Sequence, residues 1–328
     1  MAYDGEVFFI EGFEIGGNPL RRFDEYQGEP DGLVGGRNGG TAARLNLLHG
    51  YGRVLNPNGP GGAFALGFAA RHGSSFDVSR GVQLLDAASD DVADFSWGDS
   101  SDEVTLTVGS DEHTAFGDFA DWEYWELVIR PGETDGLEWY RDGQLEVAMD
   151  CPSDVSAVQF GRNVTSNTRR IDIDDIYAKT GTDRLGDCHV MGAMPDAPGE
   201  YTEWTPSATG DNYEMVNDPA EDPDGEYVDA DTDAIDQYGV TPGIASDWNI
   251  LAVSVDCRAV VPEGGVDADL YSRLRVGTTD YEGDVQSLGA AYREARHLWE
   301  QNPDTNAAWQ PGELDSIEIG QRVKFSGT

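Results

Sequence analysis

Short runs in which apolar and polar residues alternate recur along the whole chain, and most of them end at Gly, Asp or Pro. A period of two is typical of a strand with one buried face, and a helical period over more than three turns is hard to find. The pattern therefore predicts an all-β chain. In the first half the predicted strands are Ala63 to Ala70, Val104 to Val108, Trp122 to Ile129 and Ile171 to Tyr177.

The segment from Glu138 to Val147 predicts a β-hairpin. Asp142 and Gly143 divide two strand-like runs within it. An Asp-Gly pair supplies the positive φ angles that a tight hairpin turn needs. We therefore expect two antiparallel strands joined at Asp142 and Gly143.

The strand pattern pauses between Gly181 and Gly186 and then begins again. A length of 328 residues suits two ordinary β domains. We predict two β-sandwich domains, residues 1–184 and residues 185–328. The second series of strand-like segments comprises Cys188 to Met191, Ile250 to Val261, Asp269 to Val276, Ala290 to Glu300 and Ser316 to Phe325.

The chain is strongly acidic, because 62 Asp and Glu residues against 21 Lys and Arg residues give a formal net charge of −41. This charge excludes nucleic-acid binding by phosphate neutralisation, and anionic membranes should repel the chain. Only Lys179 and Lys324 are lysines. Few lysines with many aspartates indicate adaptation to salt, since screening at molar ionic strength shortens the reach of a charge to about 3 Å.

The cysteines and the apolar runs limit the location of the chain. Cys151, Cys188 and Cys257 are too few and too scattered for a disulfide framework, so we expect small buried hydrophobes. No apolar run approaches the roughly 18 residues of a membrane span, and the first residues lack the basic and apolar regions of a signal peptide. We expect synthesis in the cytoplasm.

An acidic stretch between Asp211 and Asp236 contains eleven carboxylates and no Lys or Arg. We interpret it as a solvated loop with one interrupted strand near Glu226 to Val228. Weak condensation of Mg²⁺, Ca²⁺, Na⁺ or K⁺ ions is expected there rather than a defined site. The run from Asp229 to Asp233 is not an EF-hand, because Ala234 stands where the calcium loop needs Gly.

Glu123 and Glu126 are the best candidate pair of acids for a glycosidase, which needs two carboxyl groups on either side of the bond that it cleaves. Their spacing of three positions places them on opposite faces of a strand, so they cannot line one cleft without a bulge. We therefore expect exposed strand acids, no catalytic residues and no enzymatic activity.

Asp172 and Asp174 share a strand face and are the candidate ligands for a hard cation. Calcium takes about six to eight oxygen ligands, and two carboxylates fall far short of that number. We predict no metal site and no cofactor.

Aromatic residues offer a second kind of site, because sugar rings stack on exposed aromatic faces. Alternation separates Trp122 and Tyr124 from Trp125, so one set should lie in the core and the other should be exposed. The candidate residues for glycan contact are Trp122, Tyr124 and Trp139.

Four motifs in the first half occur in an order that resembles a concanavalin A-like (laminin G-like) jelly-roll domain. The order is more specific than any single motif. The motifs are Arg37-Asn38-Gly39-Gly40, the strand Phe64 to Phe68, the hairpin Trp139-Tyr140-Arg141-Asp142-Gly143 and the closing strand Ile173 to Tyr177.

The second half resembles the C-terminal β-sandwich that follows such a domain in virion structural proteins of tailed phages and tailed archaeal viruses. The likeness lies in Leu185-Gly186-Asp187, Tyr201 to Pro206, Asp211-Asn212-Tyr213, Val216-Asn217-Asp218, Glu226-Tyr227-Val228, Trp299 to Pro303, Thr305 and Ala308-Trp309, and Leu314 to Gly320. The extra acids of the Asp211 to Asp236 stretch and the scarcity of lysine depart from the pattern and fit a virus of a salt-loving host. Sugar-binding and calcium residues of the lectin relatives are not matched.

The resemblance implies a non-enzymatic structural component of a virus particle, such as a capsid decoration, vertex-turret or tail-associated protein. It implies a homo-oligomer of three-, five- or six-fold symmetry that contacts capsid or tail proteins and is exposed on the virion to a salty medium. The alternative is a carbohydrate-binding adhesin that recognises glycans or glycoproteins of the host surface.

The excess of carboxylates predicts that the fold depends on salt. On dialysis from molar salt into dilute buffer, repulsion between exposed carboxylates is no longer screened. We expect loss of the folded state or of the assembly. Circular dichroism and light scattering measure these losses. An unchanged melting temperature in dilute buffer would contradict the prediction.

Overall fold

The computed structural model describes residues 6–13, 23–28, 32–38, 40–46, 50–72, 78–97, 103–162, 170–217, 225–262, 265 and 267–325. Within them the chain forms two compact units that divide between Met191 and Gly192. We call them the first and the second domain. Among the described residues, no helix is both long enough and apolar enough to cross a membrane.

The first domain consists of antiparallel strands in two sheets. The strands are β1 (Val7–Glu11), β2 (Glu25–Gly28), β3 (Gly32–Gly35), β4 (Thr41–Asn46), β5 (Gly50–Leu55), β6 (Phe64–His72), β7 (Val78–Leu85), β8 (Asp91–Trp97), β9 (Glu103–Val108), β10 (Asp111–Phe116), β11 (Glu123–Ile129), β12 (Leu137–Arg141), β13 (Gln144–Met149), β14 (Ala157–Arg162) and β15 (Arg170–Thr180). The larger sheet has the order β13-β12-β11-β6-β15-β4-β3, with β1 also paired to β15, and the smaller sheet has the order β10-β9-β8-β7-β14-β5-β2.

The two sheets pack face to face over an aromatic core. Trp125 of the larger sheet stacks on Trp97 of the smaller sheet, with ring centroids 5.2 Å apart. Phe95 meets Trp139 edge to face at 5.1 Å. Burial of such large apolar rings is the main favourable term in a sandwich of this kind. The all-β prediction and the sandwich architecture of the first domain are confirmed.

The second domain is built on a five-stranded antiparallel sheet of order β16-β19-β26-β21-β22. Its strands are β16 (Pro195–Thr202), β17 (Thr205–Pro206), β18 (Val228–Asp229), β19 (Ala234–Val240), β20 (Val253–Ala259), β21 (Ala268–Val276), β22 (Thr279–Leu288), β23 (Arg293–Trp299), β24 (Gln301–Asn302), β25 (Ala307–Ala308) and β26 (Ile317–Phe325). Two 3-10 turns cover Asn212–Met215 and Pro311–Ser316.

A second layer covers this sheet. The paired strands β20 and β23 lie on one face. Val255 of β20 shares a buried cluster with Leu274 of β21 and Trp309, and Ala295 of β23 shares another with Leu270. The second domain is therefore also a layered β structure.

Most of the predicted local features are present. The hairpin is confirmed, since Asp142 and Gly143 have φ angles of 46° and 79° between β12 and β13. The interrupted strand predicted near Glu226 to Val228 is the short β18, which pairs with β17.

One predicted strand is wrong. Residues Cys188 to Met191 form no strand. The backbone N–H of Val190 donates to the side chain of Asp175 instead of to a neighbouring strand. The segment belongs to the first domain, so the compact units divide seven residues after the predicted boundary at residue 184.

Candidate functional site

The outer face of the larger sheet, which points away from the sandwich core, carries an apolar cluster under a loop. Ala69 of β6, Tyr124 of β11 and Tyr177 of β15 form the cluster, and Leu185 and Cys188 pack against it. We call residues 184–190 the covering segment. It covers this part of the outer face.

Glu126 fastens the beginning of the covering segment. Its side chain on β11 is only 2% exposed. The hydroxyl of Tyr177 donates to Oε1 at 2.7 Å, the backbone N–H of Gly186 donates to the same oxygen at 2.8 Å, and the guanidinium of Arg184 binds Oε2. The Tyr177 oxygen also accepts the N–H of Leu185 at 3.0 Å. The buried carboxylate is therefore surrounded by donors, as a buried charge requires.

Asp175 fastens the end of the covering segment. Its Oδ1 accepts the backbone N–H of Val190 at 2.8 Å. Burial raises the pKa of Asp175, and the Val190 N–H and the positive charge of Arg37 oppose the rise. Arg37 also pairs with Asp187 and lies over the ring of Tyr124, 5.0 Å from its centroid. Both ends of the segment are thus tied to the sheet by charged groups.

Cys188 lies in the covering segment and packs against the apolar cluster, which makes its thiol less acidic. Burial raises the pKa of its thiol to about 12, so the thiol stays protonated and is a poor nucleophile near neutral pH. All three cysteines are free, and Cys151 is buried. Cys188 and Cys257 are partly buried.

The candidate residues for glycan contact are in three different environments. Trp139 is 0% exposed in the core, and Tyr124 is 1% exposed beneath the covering segment. Neither ring can reach a glycan, so the prediction is wrong for these two. Trp122 is partly exposed, with the Arg71 guanidinium 4.5 Å from its ring centroid, and glycan contact there stays a prediction.

Asp172 and Asp174, the candidate cation ligands, are both buried and bonded to the protein. Asp172 accepts Nε of Arg71 at 2.9 Å. Asp174 accepts the backbone N–H of Arg37 at 2.9 Å through Oδ2 and that of Asp175 at 2.9 Å through Oδ1. Within the described ranges no group of three or more His, Cys, Asp or Glu side chains is arranged to hold a metal ion.

Glu123 and Glu126 do lie on opposite faces of β11, but they are not the exposed acids that we expected. Glu126 is buried as described above. Burial raises the pKa of Glu123 to about 7, while nearby Arg141 opposes the rise. Oε2 of Glu123 is buried without a hydrogen-bond partner. Strand alternation could not predict that Glu126 is buried and Glu123 partly buried, because the residues that surround them come from other parts of the chain.

The acidic stretch also contains a buried carboxylate. Asp236 is 0% exposed on β19. It accepts the amide of Asn212 at 2.9 Å and the hydroxyl of Tyr238 at 2.7 Å. The interpretation of the whole stretch as a solvated loop is wrong at this residue. Asp229, Asp231 and Asp233 are exposed as expected.

Comparison with solved structures finds distant likeness in fold. Domain 4 of an extracellular arabinanase from Geobacillus stearothermophilus, in complex with arabinotriose, is 12% identical with a TM-score of 0.40 over 56% of this chain and 96% of that domain. A structure of botulinum neurotoxin type C, a toxin whose cell entry is described as dependent upon interaction with two ganglioside molecules, is 10% identical with a TM-score of 0.36 over 92% of this chain and 88% of that one. These values are too low to carry a functional argument.

No protein-family model and no curated protein sequence matches the chain.

Replacement of Glu126 tests the attachment of the covering segment. Glu126→Gln keeps the shape of the side chain but turns an N–H₂ group toward donors, so we expect the free energy of unfolding to fall by about 1–3 kcal/mol. The control is Glu133→Gln, whose side chain is 63% exposed beside Arg130 and should change stability by less than about 0.5 kcal/mol. Urea unfolding in molar salt measures both. Equal effects of the two variants would contradict the attachment.

The partly buried carboxyl group of Glu123 should make the stability of the fold depend on pH. Its carboxyl is protonated in both the folded and the unfolded state below its ordinary pKa of 4.5, and folding must bury a charge at pH values above about 7. The unfavourable contribution of Glu123 therefore grows as the pH rises between these values. Glu123→Gln should raise the melting temperature more at pH 8 than at pH 5.

The matched control is Glu112→Gln, an exposed side chain on β10, which should leave the melting temperature unchanged at both pH values. Differential scanning calorimetry in molar salt gives all the values. A gain from Glu123→Gln that is the same at both pH values would show that burial of this charge does not limit stability.

Proposed function

We propose that the chain is a non-catalytic structural component on the surface of a virus particle in a salty medium, as a capsid decoration, vertex-turret or tail-associated protein. The observation that carries the proposal is that the chain's own residues cover the outer face of the larger sheet above Tyr124 and Tyr177. Where a hydrolase would need an open cleft with two free acids, Glu126 and Asp175 hold the chain's own residues 184–190.

Two further features support this proposal. The order of motifs along the chain resembles virion proteins of tailed viruses, as described above. The charge of −41 suits a protein that stays soluble in brine, because screening removes the repulsion between its carboxylates. Layered antiparallel sheets with their backbone groups paired tolerate an exposed position on a particle.

The test is association with particles and with other copies of the chain. Light scattering behind a sizing column in molar salt should give a closed homo-oligomer of three, five or six copies. Antibodies against the chain should label the outside of purified particles in electron micrographs, whereas antibodies against a host cytoplasmic protein should not. A chain that stays monomeric at all concentrations and is absent from purified particles would contradict the proposal.

The second candidate is a glycan-binding adhesin, and Trp122 favours it. Its ring is partly exposed on the outer face of the larger sheet, beside the Arg71 and Asp172 ion pair. Aromatic faces next to charged hydrogen-bonding groups are common in sugar sites. On this hypothesis the chain binds host envelopes and Trp122→Ala abolishes the binding, whereas binding that persists in Trp122→Ala excludes this face.

A further inference from the structure

The second domain contains a small, partly open cavity that is lined by aromatic and proline residues together with polar ones. Its volume is about 240 Å³. The apolar walls come from two prolines and three aromatic residues, Pro198, Pro206, Trp204, Tyr213 and Tyr238. Sites for drug-sized ligands are typically larger than about 300 Å³, so the cavity fits something near the size of one sugar ring.

The cavity lies beside an irregular part of the edge strand β16. The pairing of β16 with β19 shifts in register between Pro195 and Ala197 and again between Pro198 and Thr202. Pro198 and Thr202 both line the cavity. Bulges at sheet edges re-aim side chains and are over-represented beside functional sites.

Buried hydrogen bonds hold the other side of the cavity in place. The side-chain amide of Asn212 donates to the Trp204 carbonyl at 2.8 Å and to both oxygens of Asp236 at 2.9 Å. Tyr238 donates its hydroxyl to Asp236 at 2.7 Å. The 3-10 turn that begins at Asn212 is therefore fixed to β19, and the aromatic walls need little ordering when a ligand enters.

Polar groups are concentrated at the rim. Thr202 and Asp211 line the cavity and are exposed. Aromatic and proline walls can pack against the C–H face of a pyranose or furanose ring, while a hydroxyl and a carboxylate at the rim can hydrogen-bond its hydroxyl groups.

We propose that this cavity binds one ring of a neutral saccharide, such as the end of a glycan chain. The inference goes beyond the proposed function and holds whether or not the chain is part of a particle. It differs from the adhesin hypothesis above, because that hypothesis places the glycan at Trp122 in the first domain.

Charge argues for a neutral ligand. The exposed carboxylate of Asp211 lines the cavity and the chain has a net charge of −41, and both disfavour an anionic sugar. The carboxylate of Asp211 is exposed at the rim, where it would pair only weakly with a cation, so a cationic ligand inside the cavity would need a buried carboxylate that is free to bind it. The buried carboxylate, Asp236, is instead occupied by Asn212 and Tyr238.

Two separate segments of the chain meet at the cavity. The segments Tyr201 to Pro206 and Asp211 to Tyr213 are separate along the chain, and the fold brings both to the same cavity. Neither segment contributes to the covering segment.

The experiment uses the full chain in molar salt with saturation-transfer NMR. The probes are glucose, galactose, mannose, N-acetylglucosamine, maltotriose and arabinotriose, with choline and N-acetylneuraminic acid as charged probes. At least one neutral probe should bind saturably with a dissociation constant near about 1 mM. Tyr213→Ala should weaken that binding by about tenfold or more, and Asp211→Asn, which preserves the shape at the rim, by several fold.

The matched control is Tyr292→Ala, a 39% exposed tyrosine of the same domain outside the cavity. It should leave the affinity within about twofold. Melting temperatures of all variants verify that they are folded. The proposal is overturned if no neutral probe binds at about 10 mM, if only a charged probe binds, or if Tyr292→Ala weakens binding as much as Tyr213→Ala does. Association with particles is measured separately, so either proposal can fail alone.

Discussion

The first domain depends on one electrostatic constraint: the carboxylate of Glu126 lies on an apolar face and must be surrounded by donors. An unpaired charge in such a place is strongly unfavourable. The donors are the Tyr177 hydroxyl, the Arg184 guanidinium and the Gly186 N–H. Two of them belong to the covering segment. The hydrogen bonds from Arg184 and Gly186 to Glu126 therefore hold the segment on the sheet, together with the apolar contacts of Leu185 and Cys188.

This arrangement also decides what the outer face can do. Leu185 and Cys188 occupy the surface above Tyr124 and Tyr177, so this part of the face is protein interior. The domain retains sheet edges, end loops and the rim around Trp122 for contact with other molecules. The second domain differs, because its bulged edge strand leaves a cavity at Pro198 and Thr202.

Much of the fold was predictable from local pattern, because strand period and turn chemistry are local. Alternation correctly separated Trp125, which is in the core, from Tyr124 on the outer face. It could not predict that Tyr124 is buried, since the residues that cover it come from another part of the chain. Strict alternation would also place Tyr177 on the same face as Ile173. The bulge at Asp175, with a φ angle of 49°, turns Tyr177 to the outer face instead.

The candidate site was less predictable for the same reason. Carboxylates are expected at the surface of an acidic chain. The residues next to Glu126 and Asp236 in the sequence do not show that these two are buried. Their donors, such as Gly186 and Asn212, lie 60 and 24 positions away along the chain. A buried acid becomes recognisable only when the fold shows what surrounds it. The cavity walls likewise come from two segments that only the fold joins.

Hydrogen exchange of backbone amides, followed by NMR in molar salt, tests the central claim most directly. If Glu126 and Asp175 hold the covering segment on the sheet, the amides of Gly186 and Val190 should exchange at least about 100-fold more slowly than that of an exposed loop residue such as Ser246. Exchange of Gly186 and Val190 at the rate of Ser246 would mean that the outer face of the sheet is open, and the account would be wrong.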